Sequence, residues 1–213
     1  MKAIYAIVSI LTLSGCVATP SLSPKVEWIS KTNIDEFTDK QTCSVTVGSL
    51  YSQNSVYTYN NHYYPYIDVV NGKARVGIRS GGKIKIPVGD VQIRIDSNKA
   101  WTISSSETPL DYVPEGTMSS IDAYAKNLPK QNQALLKDTY KTTMETAVKA
   151  MSPFTATTGN KAKNILREML TGEVIKYRTI GLNQAASSTG EYKLGESLKT
   201  ALKQCGVDID QEA

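Results

Sequence analysis

The sequence predicts an α+β protein: an antiparallel β-sandwich or open barrel with a helical insertion and a short C-terminal helix. Three observations carry that prediction. Residues 66–103 hold successive short runs with apolar residues at every second position, interrupted by Gly, Asn and Asp, the pattern of antiparallel strands with one wet face. Residues 117–171 switch to apolar spacings of three and four, the helical period. Two cysteines, Cys43 and Cys205, stand near the two ends of the part expected to fold.

Taken in order, Thr42 to Val47 alternates, with Cys43, Val45 and Val47 on one face, and reads as the first clear strand. Ser49 to Asn61 is polar, a loop or edge region. Tyr66 to Val70 and Lys73 to Arg79 flank Asn71-Gly72, a hairpin signal because both turn positions need positive φ. Lys83 to Ile86 alternates in turn, then Val91, Ile93 and Ile95 follow a Pro-Val-Gly-Asp turn, and Ala100 to Ile103 closes the series. Ser104 to Gly116 reads as a loop.

Ser119 to Asn127 reads as a short helix stopped by Pro129. Gln131 to Met151 is a longer one, striped by Leu136, Tyr140, Met144, Val148 and Met151. Asn160 to Leu170 turns Ile165, Leu166, Met169 and Leu170 inward, with Gly172 at the stop position. Glu173 to Leu182 and Gly190 to Leu194 return to strand. The polar loop between them, Asn183 to Gly190, is a connection or a binding loop. Leu194, Leu198, Ala201, Leu202 and Cys205 line a closing helix. The helical stretch, about 117–171, thus reads as an insertion between strands of one sheet system.

Composition bounds the rest. Forty per cent apolar and 21% charged residues is ordinary for a globular chain. A net charge of +4, evenly spread, gives no argument for nucleic acid as a partner.

The first residues carry an address. Lys2 precedes an apolar run from Ala3 to Leu13, whose eleven residues reach roughly 17 Å as a helix, against about 30 Å of bilayer hydrocarbon. Charge, a short apolar stretch and then small residues is the order of a secretory signal. Leu13-Ser14-Gly15-Cys16 resembles the lipobox of bacterial lipoproteins, cleaved before a lipidated Cys. That resemblance implies a signal peptide over 1–15 and acyl chains on Cys16, the membrane being contacted through this anchor. Each buried methylene adds about 0.8 kcal/mol, so several chains anchor durably. The alternatives are a chance Cys after an ordinary signal and a buried N-terminal helix. Val17 stands where an Asp typically retains such proteins at the inner membrane, which implies the outer membrane, facing the periplasm, with surface exposure the other topology. Residues 16–25, with "TPSLSP", read as a tether, and 26–213 as a single domain.

In an oxidising compartment an even pair of cysteines reads as a disulfide, here Cys43 to Cys205. Two buried free thiols or a metal site are the alternatives. Two Cys and the single His62 make a poor set for structural zinc, which takes four ligands, so no metal or cofactor is expected.

An early Cys on a strand, the Gly/Lys-punctuated "VGIRSGGKIKIPVGDVQIRID" and the terminal "ESLKTALKQCG" are similar to small periplasmic β-sandwich families. These are the invasion-associated locus B proteins and an accessory family of type VI secretion. The resemblance implies architecture; the helical middle departs from it, and no catalytic residue carries over.

Chemical motifs are mostly refused. "GIRSGGK", Gly77 to Lys83, has P-loop spacing, but Ile84 stands where Ser or Thr must hold magnesium. Ser80-Gly81-Gly82-Lys83 matches Ser-x-x-Lys without its helix or companion triplets. Any imidazole-dependent triad must use His62, in "YNNHYYPY", with no nucleophile nearby in sequence. Asp68, Asp90 and Asp96 could pair across strands as acid and base; Asp90 and Asp96 read better as turn and strand-end residues.

Half of the twelve tyrosines lie between Tyr51 and Tyr66. Flat rings with polar tips suit recognition of proteins or sugars, so Tyr57, Tyr59, His62, Tyr63, Tyr64 and Tyr66 form the candidate binding surface; the plainer reading is an edge hairpin with half-buried rings. Lys83, Lys85 and Arg94 on a wet face could meet an anionic partner or simply protect an edge. The expected function is non-enzymatic binding of an envelope protein or wall polymer through Trp and Tyr surfaces. The alternatives are a wall or lipid hydrolase without a recognisable motif and an assembly subunit of a secretion complex.

Overall fold

Strand alternation builds most of the architecture in the computed structural model, which describes residues 26–52, 55–110, 119–181 and 188–207. Numbered along the chain, β1 (Ile29–Ile34), β2 (Gln41–Thr46), β5 (Tyr63–Val70), β6 (Lys73–Ser80) and β9 (Phe154–Thr157) form one antiparallel sheet, in the order β1-β2-β5-β6-β9. A second, in the order β11-β10-β7-β8, contains β7 (Asp90–Ile95), β8 (Trp101–Ile103), β10 (Val174–Ile180) and β11 (Thr189–Lys193). A small hairpin of β3 (Leu50–Ser52) and β4 (Ser55–Tyr57) lies between β2 and β5 in sequence. Four α-helices complete the described residues: α1 (Ser119–Ala125), α2 (Lys130–Ala150), α3 (Gly159–Thr171) and α4 (Glu196–Gln204). The fold is α+β and sandwich-like, as the sequence predicts.

The core takes one face of each sheet. Val45, Ile67, Val76 and Ile78 of the first sheet join Val91, Ile93, Ile95 and Ile175 of the second. Ile165, Leu166 and Met169 of α3 and Leu198 and Leu202 of α4 enter the same cluster. Each such fully buried side chain contributes about 1.5–3 kcal/mol. Asn71 and Gly72 adopt φ of 51° and 70°, the left-handed pair expected of a two-residue hairpin turn.

Cys43 and Cys205 are bonded, with Cα atoms 5.4 Å apart. The bond fastens the end of α4 to β2. Ser30 Oγ to Gln204, Ser197 Oγ accepting from Trp28 N, and Trp28 Nε1 donating to Lys193 O tie the same corner.

Two expectations require correction. Lys83 to Ile86 is not a strand: Ile84 is exposed, its N–H donates to Asn60 Oδ1, and Ile86 N donates to Ser80 Oγ. Side-chain acceptors have taken the donors a ladder would use. The segment 117–171 is not wholly helical, because β9 interrupts it and pairs with β6. Gly77 makes that pairing possible, since a Cβ there would stand 2.0 Å from Thr155 O. The stripe on α2 stays outside the core. None of its residues is buried; Leu136, Tyr140 and Met144 are half-covered, while Val148 and Met151 are exposed. Its main neighbours are α1, through Lys137–Asp122 at 2.6 Å, and the 3-10 turn Ser105–Glu107, through Lys149 Nζ to Ser106 O at 2.9 Å.

Candidate functional site: a polar groove on the outer sheet face

The residues that alternate with the core set emerge on the outer face of the five-stranded sheet. Strand register arranges them in cross-strand rows: Ser44, Asp68 and Arg75; Thr46, Tyr66, Gly77 and Ala156; Tyr64, Arg79 and Phe154. The first row is a buried ion pair. Asp68 Oδ2 accepts from Arg75 Nε at 3.2 Å and Nη2 at 3.0 Å, while Asp68 Oδ1 accepts from Ser44 Oγ. Both charged side chains are only 10% exposed, so each depends on the other for neutralisation. Arg79 Nη1 donates to Ser44 Oγ at 3.1 Å. The guanidiniums also meet rings, Arg75 lying 5.3 Å from the Phe154 centroid and Arg79 5.4 Å from that of Tyr66.

A groove of about 770 Å³ lies over these rows. Its lining adds Lys31 and Asn33 of β1, Ser55 of β4, Thr58 after it, and Lys85. Two loops are braced against each other beside it: Gly82 N donates to Thr58 Oγ1 at 2.9 Å and Gly81 N to His62 O at 2.7 Å. Gly82 has φ of +69°, and Asn60 fills the space a side chain would need. Tyr64 Oη accepts from Tyr59 N at 3.1 Å and meets Ser49 Oγ at 2.6 Å, holding the hairpin segment to the sheet.

Electrostatically the groove is cationic. Among the described lining residues, Lys31, Arg79 and Lys85 face a single carboxylate, Asp68, already committed to Arg75. Burial lowers the pKa of Arg79, with Asp68 and Tyr66 acting in the opposite direction. Burial, and then the charge of Arg79, also lowers that of Lys85, whose Nζ donates to Ser80 O at 3.2 Å.

The structure divides the predicted tyrosine surface. Tyr57 and Tyr59 are 55% and 48% exposed, and His62 is exposed beside Tyr59 at 5.7 Å between ring centroids. Tyr63 is half-buried, with its Oη on Pro87 O. Tyr64 and Tyr66 are buried and line the groove, so they cannot act as freely presented rings. Neither Trp supplies the expected contact surface: Trp28 is buried and Trp101 is half-buried with Nε1 on Glu168 Oε1. Lys83 is exposed and Arg94 donates to Ser97 O. Cys16, the tether 16–25 and most of the Asn183–Gly190 loop lie outside the described residues.

Sequence reasoning missed Arg75, Arg79, Ser44 and Phe154 as one site. The available signal was "ARVGIRS", whose two arginines share the face opposite Val76 and Ile78.

Neither family models, curated proteins nor solved structures give a significant match to this chain.

The arrangement suits holding a ligand better than attacking one. Ser44 donates to a carboxylate that two Arg75 hydrogen bonds already occupy, and His62 Nδ1 lies 3.0 Å from Asn60 O. Asp90 accepts from Ser105 N at the start of the 3-10 turn, and Asp96 from Glu173 N and Val174 N at the start of β10, so both carboxylates hold backbone amides of other segments. No group of three His, Cys, Asp or Glu side chains placed to hold a metal occurs among the described residues.

Proposed function

We propose that this chain is a lipid-anchored binding protein, exported to the periplasmic face of the outer membrane and capturing its ligand in the groove over the five-stranded sheet. The groove itself carries the reading. Its volume lies in the range of small-ligand sites, and its polar groups are fixed by strand register and by one another. The Cys43–Cys205 bond supports an oxidising compartment, since such bonds rarely persist in the cytosol. The lipobox-like Leu13-Ser14-Gly15-Cys16 supports the anchor.

A second reading, assembly with another envelope protein, rests on α2. This 21-residue helix buries none of its residues and exposes Leu135 at 67%, with Met151, the residue that caps its C-terminus, 70% exposed. One experiment separates the two. A photo-crosslinking side chain is placed at Lys31, Ser55 or Lys141 of the full-length protein in its native cells. Groove capture predicts adducts from positions 31 and 55 and none from 141. Adducts confined to 141 would replace capture with assembly through the helix.

A further inference from the structure

We infer that the groove recognises a carboxylate-bearing saccharide, an inference resting on the groove being the binding site. Three features of the lining converge on that class. The charge is the first. Lys31, Arg79 and Lys85 outnumber Asp68, whose carboxylate is taken up by Arg75 and Ser44. An anionic ligand would therefore meet cations without displacing an existing pair, whereas a cationic one would find no uncommitted carboxylate among the described lining residues.

The second feature is the density of hydroxyls. Thr42, Thr46, Ser55, Thr58 and Ser80 line the same groove as Ser44. A hydroxyl both donates and accepts and rotates to suit, which matches a partner that is itself rich in hydroxyls. Thr46 Oγ1 donates to Pro65 O, while Thr58 Oγ1 and Ser80 Oγ accept from Gly82 N and Ile86 N, so each of these hydroxyls is held in place and keeps a further donor or acceptor for a ligand.

Ring surface is the third. Phe154 lines the groove half-exposed, and edge-to-face packing on the buried Tyr66, with centroids 6.1 Å apart, fixes its ring. Rings offer apolar area to the C–H face of a pyranose, while charge and hydroxyls engage its edge. Arg79 and Phe154 are cross-strand neighbours, so a carboxylate reaching the guanidinium would bring its sugar beside the Phe154 ring. Lys85, exposed but hydrogen-bonded to Ser80 O, offers a second positive charge at the rim.

Calorimetric titration of the full chain in detergent tests the inference with matched probes. N-acetylmuramic acid and N-acetylglucosamine share an amino-sugar body, and only the first carries a carboxylate. The acid is expected to bind about tenfold or more tightly than its neutral counterpart. Lys85→Met, at a rim site exposed enough to spare the fold, should cut that preference severalfold, Arg79 keeping the remainder. Inorganic phosphate should compete only weakly.

Equal binding of both sugars would overturn the charge requirement. Competition by phosphate at concentrations matching the acid would overturn the saccharide requirement. No heat from either sugar would overturn the ligand class, yet adducts from positions 31 and 55 would then still uphold the groove. If crosslinking moved to position 141, the groove reading itself would fall.

Discussion

At the residue scale, the groove depends on a charge pair that has no cheap substitute. Asp68→Asn leaves Arg75 buried beside a neutral partner, and breaking such a pair typically costs about 3–5 kcal/mol. Chemical denaturation should show that loss, and Asp68→Asn/Arg75→Met should recover part of it by removing the buried charge. Glu107 gives a pH-dependent case. Burial alone would raise its pKa, but hydrogen bonds from Lys161, Ser104 N and Thr157 outweigh burial and lower it from 4.5. A lowered folded-state value stabilises above the unfolded pKa, and the gain disappears as pH falls through the folded one. The stability gap between wild type and Glu107→Gln should therefore be about 0.5–1 kcal/mol at neutral pH. It should close on acidification below 4.5, as followed by thermal melts across pH. The first pairing was within reach of the sequence, since a two-residue turn at Asn71-Gly72 sets Asp68 opposite Arg75; the partners of Glu107, Thr157 and Lys161, lie 50 and 54 residues away and left no local signal.

At the scale of elements, legibility followed pattern length. The β2, β6, β7 and α3 segments each carry several turns of one period, and their inward residues matched expectation. The four-residue β9 was too short to show a period, and its existence depends on a neighbour, since it fits only because Gly77 lacks a side chain. Gly77→Val should push β9 off β6, costing about 1–3 kcal/mol, with amide exchange at Phe154–Thr157 rising before that of β5. The Lys-Ile-Lys-Ile stretch misled for the opposite reason. Its period was right, but Asn60 and Ser80 side chains offered closer acceptors than another strand. On α2 the apolar stripe was real, while its burial required a partner that the short α1 provides over only part of its length.

At the scale of the whole molecule, the chain is closed by one covalent bond spanning 162 residues. Loop-closure entropy sets its contribution at roughly 5 kcal/mol at most, so Cys43→Ser/Cys205→Ser should melt well below wild type and release α4 first. The bond also supports the proposed export, because such bonds rarely persist in the cytosol. Charge, groove and disulfide then describe one object, a cationic pocket on a stapled domain, which we propose is held at a membrane by Cys16. Peptide mapping by mass spectrometry of the protein from its native cells tests that picture most directly. The account predicts a mature chain starting at an acylated Cys16 with Cys43 linked to Cys205. An intact leader, an unmodified Cys16 and two free thiols would contradict it.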